Sequence, residues 1–149
     1  MAAPRVANCI FCDDIRLEMG GKFSLMGVYG SDMIFPAAPP VLLGKWGIVV
    51  WLISDVDDVP QKMSVSVLAP PDKTEIAAKD FDQMPPPEHQ EGATKMNIRL
   101  VLPMPPVNLT AAGFVEVMLT TEQETLRAGR LFVRFAPPQT ESTATAPPN

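Results

Sequence analysis

Apolar and polar residues alternate with period two along most of this chain. Residues 94–102 set Met96, Ile98, Leu100 and Leu102 against Lys95, Asn97 and Arg99, and residues 113–120 turn Val115, Val117 and Leu119 to one side. Such alternation predicts half-buried β-strands. Residues 62–68 (Met63, Val65, Val67) and a short stretch over 74–78 read the same way. Residues 124–135 bury Leu126 and Ala128, then Leu131, Val133 and Phe135. The inward parity switches at Gly129-Arg130, which predicts a β-bulge. No window sustains helical spacing. The 17 prolines gather in short clusters between these runs and punctuate the strands.

The first two strands, over residues 5–18 and 22–29, flank Met19-Gly20-Gly21. A three-residue loop, with Gly21 left-handed, pairs Glu18 with Lys22. It places Cys9, Phe11, Ile15, Leu17, Phe23, Leu25 and Tyr29 on one face and Asp14, Arg16, Glu18, Lys22 and Ser24 on the other. Residues 41–53 differ, because both faces are apolar. Leu42, Trp46, Ile48, Val50 and Leu52 point one way, and Val41, Leu43, Val49, Trp51 and Ile53 the other. The count is about eight strands, too many for one open sheet. The expected fold is a two-sheet immunoglobulin-like β-sandwich over residues 1–136. Residues 80–93 read as a long loop and residues 137–149 as a flexible Pro/Thr-rich tail.

Composition narrows the function. The chain has 149 residues, 12 Lys+Arg against 17 Asp+Glu, and a formal charge of −5. That is one ordinary domain with a sufficient core. The acidic balance argues against a nucleic-acid backbone or an anionic membrane surface as partner. One histidine and two cysteines are too few for a common zinc site. Phosphate-cradling glycine loops, a nucleophile elbow and a zinc-protease helix motif are missing. No apolar leader precedes Asp13-Asp14, and the apolar run over 41–53 is shorter than a bilayer span of about 18 residues. A cytoplasmic protein is the default expectation. No cofactor is expected.

The run Cys12-Asp13-Asp14-Ile15-Arg16-Leu17-Glu18, followed by Gly20-Gly21-Lys22-Phe23-Ser24-Leu25 and Gly27-Val28-Tyr29, resembles the opening of an uncharacterised family of short bacterial and phage proteins. The match is sharp over residues 9–30 and looser beyond. The resemblance implies a small β-rich domain and supplies no catalytic residues. It also implies a phage or prophage origin, with a virion as the alternative location.

Several constellations have both a functional and a structural explanation. Cys9 and Cys12 spell C-x-x-C, but inside a strand residues three apart face opposite ways. The expected roles are a core residue for Cys9 and an incidental one for Cys12. Asp14, Arg16, Glu18 and Lys22 form a stripe of alternating sign, either a docking patch or a cross-strand ladder that keeps a face wet. Asp55, Asp57 and Asp58 follow the most apolar strand and are weak Ca²⁺ candidates, with Asp72 or Asp80 as further ligands. The other explanation is an acidic turn. Glu88, His89 and Glu91 in a Pro-rich loop lack a positioned nucleophile. Asn108-Leu109-Thr110 matches a glycosylation sequon without a secretion signal, and the proline tracts read as strand boundaries ahead of recognition motifs.

Trp46 and Trp51 lie on opposite faces of one strand. One fills the core, and the other needs cover from a second protein surface or from the chain's own proline-rich segments. The leading expectation is therefore a non-enzymatic structural or interaction module, a phage virion or assembly component that binds itself or a neighbouring structural protein. The expected interface holds Trp46, Trp51, Val49, Ile53, Asp14, Arg16, Glu18 and Lys22. The alternative is a cytoplasmic binding module for a small ligand or Ca²⁺ at the acidic loops. A hydrolase built on carboxylates alone would need two acids converging in a cleft.

Overall fold

In the computed structural model, residues 3–83 and 90–137 are described. Eleven strands form: β1 (Val6–Leu17), β2 (Phe23–Val28), β3 (Asp32–Phe35), β4 (Val41–Leu43), β5 (Trp46–Asp55), β6 (Met63–Ala69), β7 (Thr74–Phe81), β8 (Lys95–Met104), β9 (Val107–Leu109), β10 (Gly113–Thr121) and β11 (Thr125–Phe135). One sheet runs β2-β1-β5-β8 and a second β3-β11-β10-β6-β7, while β4 and β9 pair separately. Strands β5 and β8 facing β6, β10 and β11 reproduce the B, E against C, F, G arrangement of an immunoglobulin-like sandwich. Strand β1 extends the first sheet, and β3 joins β11 in parallel.

The core lies between the sheets. Ile48, Val50 and Leu52 of β5 and Ile98, Leu100 and Leu102 of β8 meet Val65 and Val67 of β6, Val117 and Leu119 of β10 and Leu131 and Val133 of β11. The sheets come close together at Gly129, where an added Cβ would fall 2.4 Å from the Cys9 Sγ. The β10–β11 register shifts between Val117 and Met118, opposite Gly129 and Arg127, so Ala128 is the extra residue. The bulge thus lies at Ala128-Gly129, one position earlier than expected. It keeps Ala128 and Leu131 both inward.

The stretch 41–53 is two strands rather than one. Gly44-Lys45 breaks it, and β4 leaves to pair with β9, Val41 opposite Leu109. The sequence pattern hid this because both halves are apolar. Strand β7 also runs on to Phe81, into the expected loop. The segment 84–89, with Glu88 and His89, and the tail from residue 138 onward lie outside the described residues.

The first hairpin has the expected loop. The Glu18 amide donates to the Lys22 carbonyl at 2.8 Å, and Gly20 and Gly21 are both left-handed. The hairpin as a whole, however, is not flat. Leu17 pairs with Phe23, while Arg99 sits opposite Trp51, which sits opposite Asn8. On a straight strand Phe23 and Arg99 would lie about 30 Å apart. The Arg99 guanidinium instead stands 4.8 Å from the centre of the Phe23 ring. The hairpin therefore folds back over the outer face of its own sheet. The bend lies at Gly27 (φ +63°), whose Cβ would overlap the Asp13 carboxylate. Past the bend, Ile15 lies on Gly47, where an added Cβ would come within 2.5 Å of its Cδ1.

Candidate functional site

The folded-back hairpin settles the apolar outer face of β5. Trp46 points into the core at 4% exposure, and its indole N–H donates to the Pro105 carbonyl at 2.7 Å. Val49 faces away from the core yet is 0% exposed, and Trp51 is half-buried. Trp46 and Val49 are therefore unavailable to a partner, which corrects their place in the expected interface. The hairpin supplies cover on this face, with Ile15 on Gly47 and Phe23 beside Arg99. Only Ile53, at 37%, remains open on that strand. Cys12, expected to be incidental, is fully buried in this second layer and its thiol reaches the Gly47 carbonyl.

Asp14, Arg16 and Glu18 of the charged stripe have partners within the chain. Asp14 pairs with Lys45 at 2.9 Å and with Arg16 at 3.5 Å. Those cations, Lys45 foremost, hold its carboxyl below the usual range. Glu18 accepts from the Ser24 hydroxyl, and Lys22 is exposed beside it. The two thiols are unpaired and point to opposite sides of β1. Burial pushes the Cys9 thiol up to about 12, and it raises Cys12 with help from Asp13 and Asp14. Such thiols are poor nucleophiles at neutral pH.

The acidic loop serves as an anchor. One oxygen of Asp55 pairs with Lys95 and the other accepts the Ala3 amide at 3.0 Å. Lys95 foremost draws its pKa down. Asp58 pairs with Arg5 at 3.0 Å. Asp57 is exposed, and Asp80 lines a different cleft, with Asp82 and Glu122. Among the described residues no three His, Cys, Asp or Glu side chains converge to hold a metal ion. The Ca²⁺ candidates Asp55 and Asp58 are thus ion-paired within the chain.

Arg5 itself was not anticipated. Its guanidinium is buried and donates to Thr121 Oγ1, the Asp58 carbonyl and Asp58 Oδ1, each at 3.0 Å. Thr121 in turn accepts the Gln123 and Glu124 amides. This network fastens the start of β1 to the β10–β11 turn of the opposite sheet.

A second group missed in the sequence lies on the outer face of the five-stranded sheet. Val115, Val117, Leu131 and Val133 point inward, so Phe114, Glu116, Arg130, Phe132 and Arg134 point outward. Phe114 sits opposite Phe132, and Glu116 opposite Arg130. The two rings meet edge to face, 4.9 Å between centres. The Arg130 guanidinium lies 4.1 Å over Phe114 and that of Arg134 lies 5.2 Å over Phe132. The result is a ladder Arg130–Phe114–Phe132–Arg134, with Phe114 exposed at 41%. Ser31 and Asp32 complete the lining of a shallow cleft of about 460 Å³.

The charges around the ladder are unevenly matched. Arg134 pairs with Asp32 at 3.0 Å. Lys73 and Arg127 share Glu116 at 3.1 and 3.3 Å, and Lys73 foremost lowers the Glu116 pKa. Arg130 has no carboxylate within ion-pair distance among the described residues. A guanidinium stacked on a ring keeps its N–H fork in the plane, free to grip a carboxylate with two hydrogen bonds. The sequence signal was the alternation Arg130-Leu131-Phe132-Val133-Arg134, whose outward half is as regular as its inward half.

The fold and this surface define a small immunoglobulin-like β-sandwich with one open, arginine-lined aromatic face. Residues 8–134 match DUF6941, a family of unknown function, and the chain belongs to that family. No curated protein matches it. Among the described residues no helix is long and apolar enough to cross a membrane.

Proposed function

We propose that this protein is a non-enzymatic interaction module that docks an acidic polypeptide segment on the Arg130–Phe114–Phe132–Arg134 ladder. The observation that carries the reading is Arg130, stacked on an exposed ring and left without a carboxylate of its own among the described residues. Arginine and aromatic side chains dominate protein docking surfaces, because they combine broad contact with directional donors. The remaining titratable groups support the same reading. Asp14, Asp55, Asp58 and Glu116 hold strands and loops together through ion pairs. The module acts as a structural component that joins itself or a neighbouring structural protein, and the phage-like opening motif suggests a virion or its assembly as the setting.

The test is a titration of the isotope-labelled protein with a short Asp/Glu-rich peptide, followed by amide chemical shifts. Saturable shifts at Phe114, Arg130, Phe132 and Arg134, lost in Arg130→Gln, are expected. Shifts confined to other surfaces, or none, would overturn the reading.

A further inference from the structure

The two ends of the β10–β11 hairpin differ in charge. Phe114, Phe132 and Arg134 lie near its open end, and the turn Glu122-Gln123-Glu124 closes the other, about 25 Å away along the strands. Around that turn gather the loop after β5 and the end of β7 with Asp82. The Gln123 amide reaches Asp58, and Glu122 accepts the Gln61 and Lys62 amides. Asp57, Asp80, Asp82, Glu122 and Glu124 are all exposed here, with Lys62, Lys79 and Lys95 as the nearby exposed cations, the last paired with Asp55. At the ladder end four cations, Lys73, Arg127, Arg130 and Arg134, stand among Asp32, Asp72, Glu75 and Glu116, and of the four Arg130 has no carboxylate within ion-pair distance among the described residues. A free cation, Arg130, thus stands at one end of the hairpin, and an anionic excess lies at the other.

Resting on the interaction reading above, we infer that the acidic segment docked on the ladder is the acidic end of a second copy of this chain. Arg130 grips a carboxylate of the neighbour's Asp57 or Glu124 loop, and Phe114 packs beside it. Because the two surfaces differ, the contact is heterologous: each copy offers a ladder and an acidic end, and copies add head to tail into a ring or an open row. The net charge of −5 on each copy opposes approach at low salt. At about 0.15 M salt, screening beyond about 8 Å leaves the local match in control. Higher salt weakens the contact itself, so association is strongest at intermediate ionic strength.

The experiment is sedimentation velocity over a concentration series of the full chain and two variants. One variant is Arg130→Gln, which removes the ladder's free cation without adding a negative charge. The other is Asp57→Lys with Glu124→Lys, which spoils the acidic end. All these positions are exposed. Wild type is expected to exceed the 16.2 kDa monomer as concentration rises. Each variant alone is expected to associate at least about tenfold more weakly. Mixed, the two retain one good ladder and one good acidic end between them, so they are expected to form a one-to-one dimer and stop. A wild type that stays monomeric, a variant that self-associates as strongly as wild type, or a mixture that fails to pair would overturn head-to-tail assembly. A monomeric wild type whose ladder still binds the acidic peptide would leave the interaction reading standing, and one that binds neither would remove both.

Discussion

The two outer faces of this sandwich dispose of exposed aromatic and apolar residues in opposite ways. On the four-stranded sheet, β5 offers Val49 and Trp51 outward, and the chain covers them by folding its own first hairpin back at Gly27. On the five-stranded sheet, Phe114 and Phe132 have no such flap among the described residues and carry arginines instead. Covering a face turns it into a second core layer and commits it to stability. Stacking guanidinium groups on a face keeps it hydrated and available. Apolar residues on both sides of a strand therefore do not by themselves mark an interface. What distinguishes the faces is whether the chain carries a segment long enough, and a hinge sharp enough, to close one of them.

The sharpest contrast is between Val49 and Phe114. Val49→Asp is expected to destabilise the fold by about 3–5 kcal/mol, because it buries an unpaired carboxylate between hairpin and sheet. Urea unfolding measures this directly. A loss under about 1 kcal/mol would mean that the hairpin does not seal this face. Gly27→Val attacks the hinge. A β-branched residue at φ +63° is strained, and its Cβ would overlap the Asp13 carboxylate, for an expected cost of about 2 kcal/mol. Acrylamide quenching of tryptophan should rise as the hairpin lifts, and the rise should vanish when Trp51→Phe is added. Unchanged quenching would place the bend elsewhere.

The strands and the hairpin loop were legible because one-sided burial writes itself as period two. Ala128 and Gly129 betrayed their bulge through a parity switch. The hinge was not legible. Gly27 reads as an ordinary glycine near a strand end, and its role depends on Asp13 opposite and on Gly47 beneath Ile15. Arg5 likewise reads as a terminal charge, while its partner Thr121 lies 116 residues away. The division of residues 41–53 was hidden because uniform apolarity carries no phase. The ladder was visible in Arg130-Leu131-Phe132-Val133-Arg134, yet attention to the buried half of an alternation leaves its outward half unread.

Acid offers a gentler perturbation of both faces. Asp14 on the covered side and Glu116 on the open side have folded-state pKa values below their ordinary ones, owing first to Lys45 and to Lys73 respectively. A carboxylate depressed on folding stabilises fully above its unfolded pKa, about 3.9 for Asp and 4.3 for Glu. That contribution is lost as pH falls through the folded value. The urea midpoint should therefore be flat above about pH 5 and fall below about pH 4. Glu116→Gln should remove part of that fall and at most about 1 kcal/mol at neutral pH. It should also tighten acidic-peptide binding, because Lys73 and Arg127 lose their shared carboxylate. An undiminished acid response would shift the weight to Asp14 and Asp55, on the other sheet.

The smallest expected effect on stability is the one on which the comparison turns. Phe114→Ala removes a ring that is 41% exposed, together with its edge contact to Phe132 and its stack with Arg130. Those contacts are each worth about 0.5–1.5 kcal/mol in favourable settings and less at an exposed site. The net loss should stay near 1 kcal/mol, well below that of Val49→Asp. Binding should respond in the reverse order. Without the ring, the Arg130 guanidinium is no longer held flat, so its fork loses the fixed plane that suits a carboxylate. Peptide affinity should drop by roughly tenfold, against little change for Val49→Ala in protein that remains folded. If Phe114→Ala cost as much stability as Val49→Asp and left binding intact, the ladder would be a core element that happens to be wet, and the two faces would differ only in what covers them.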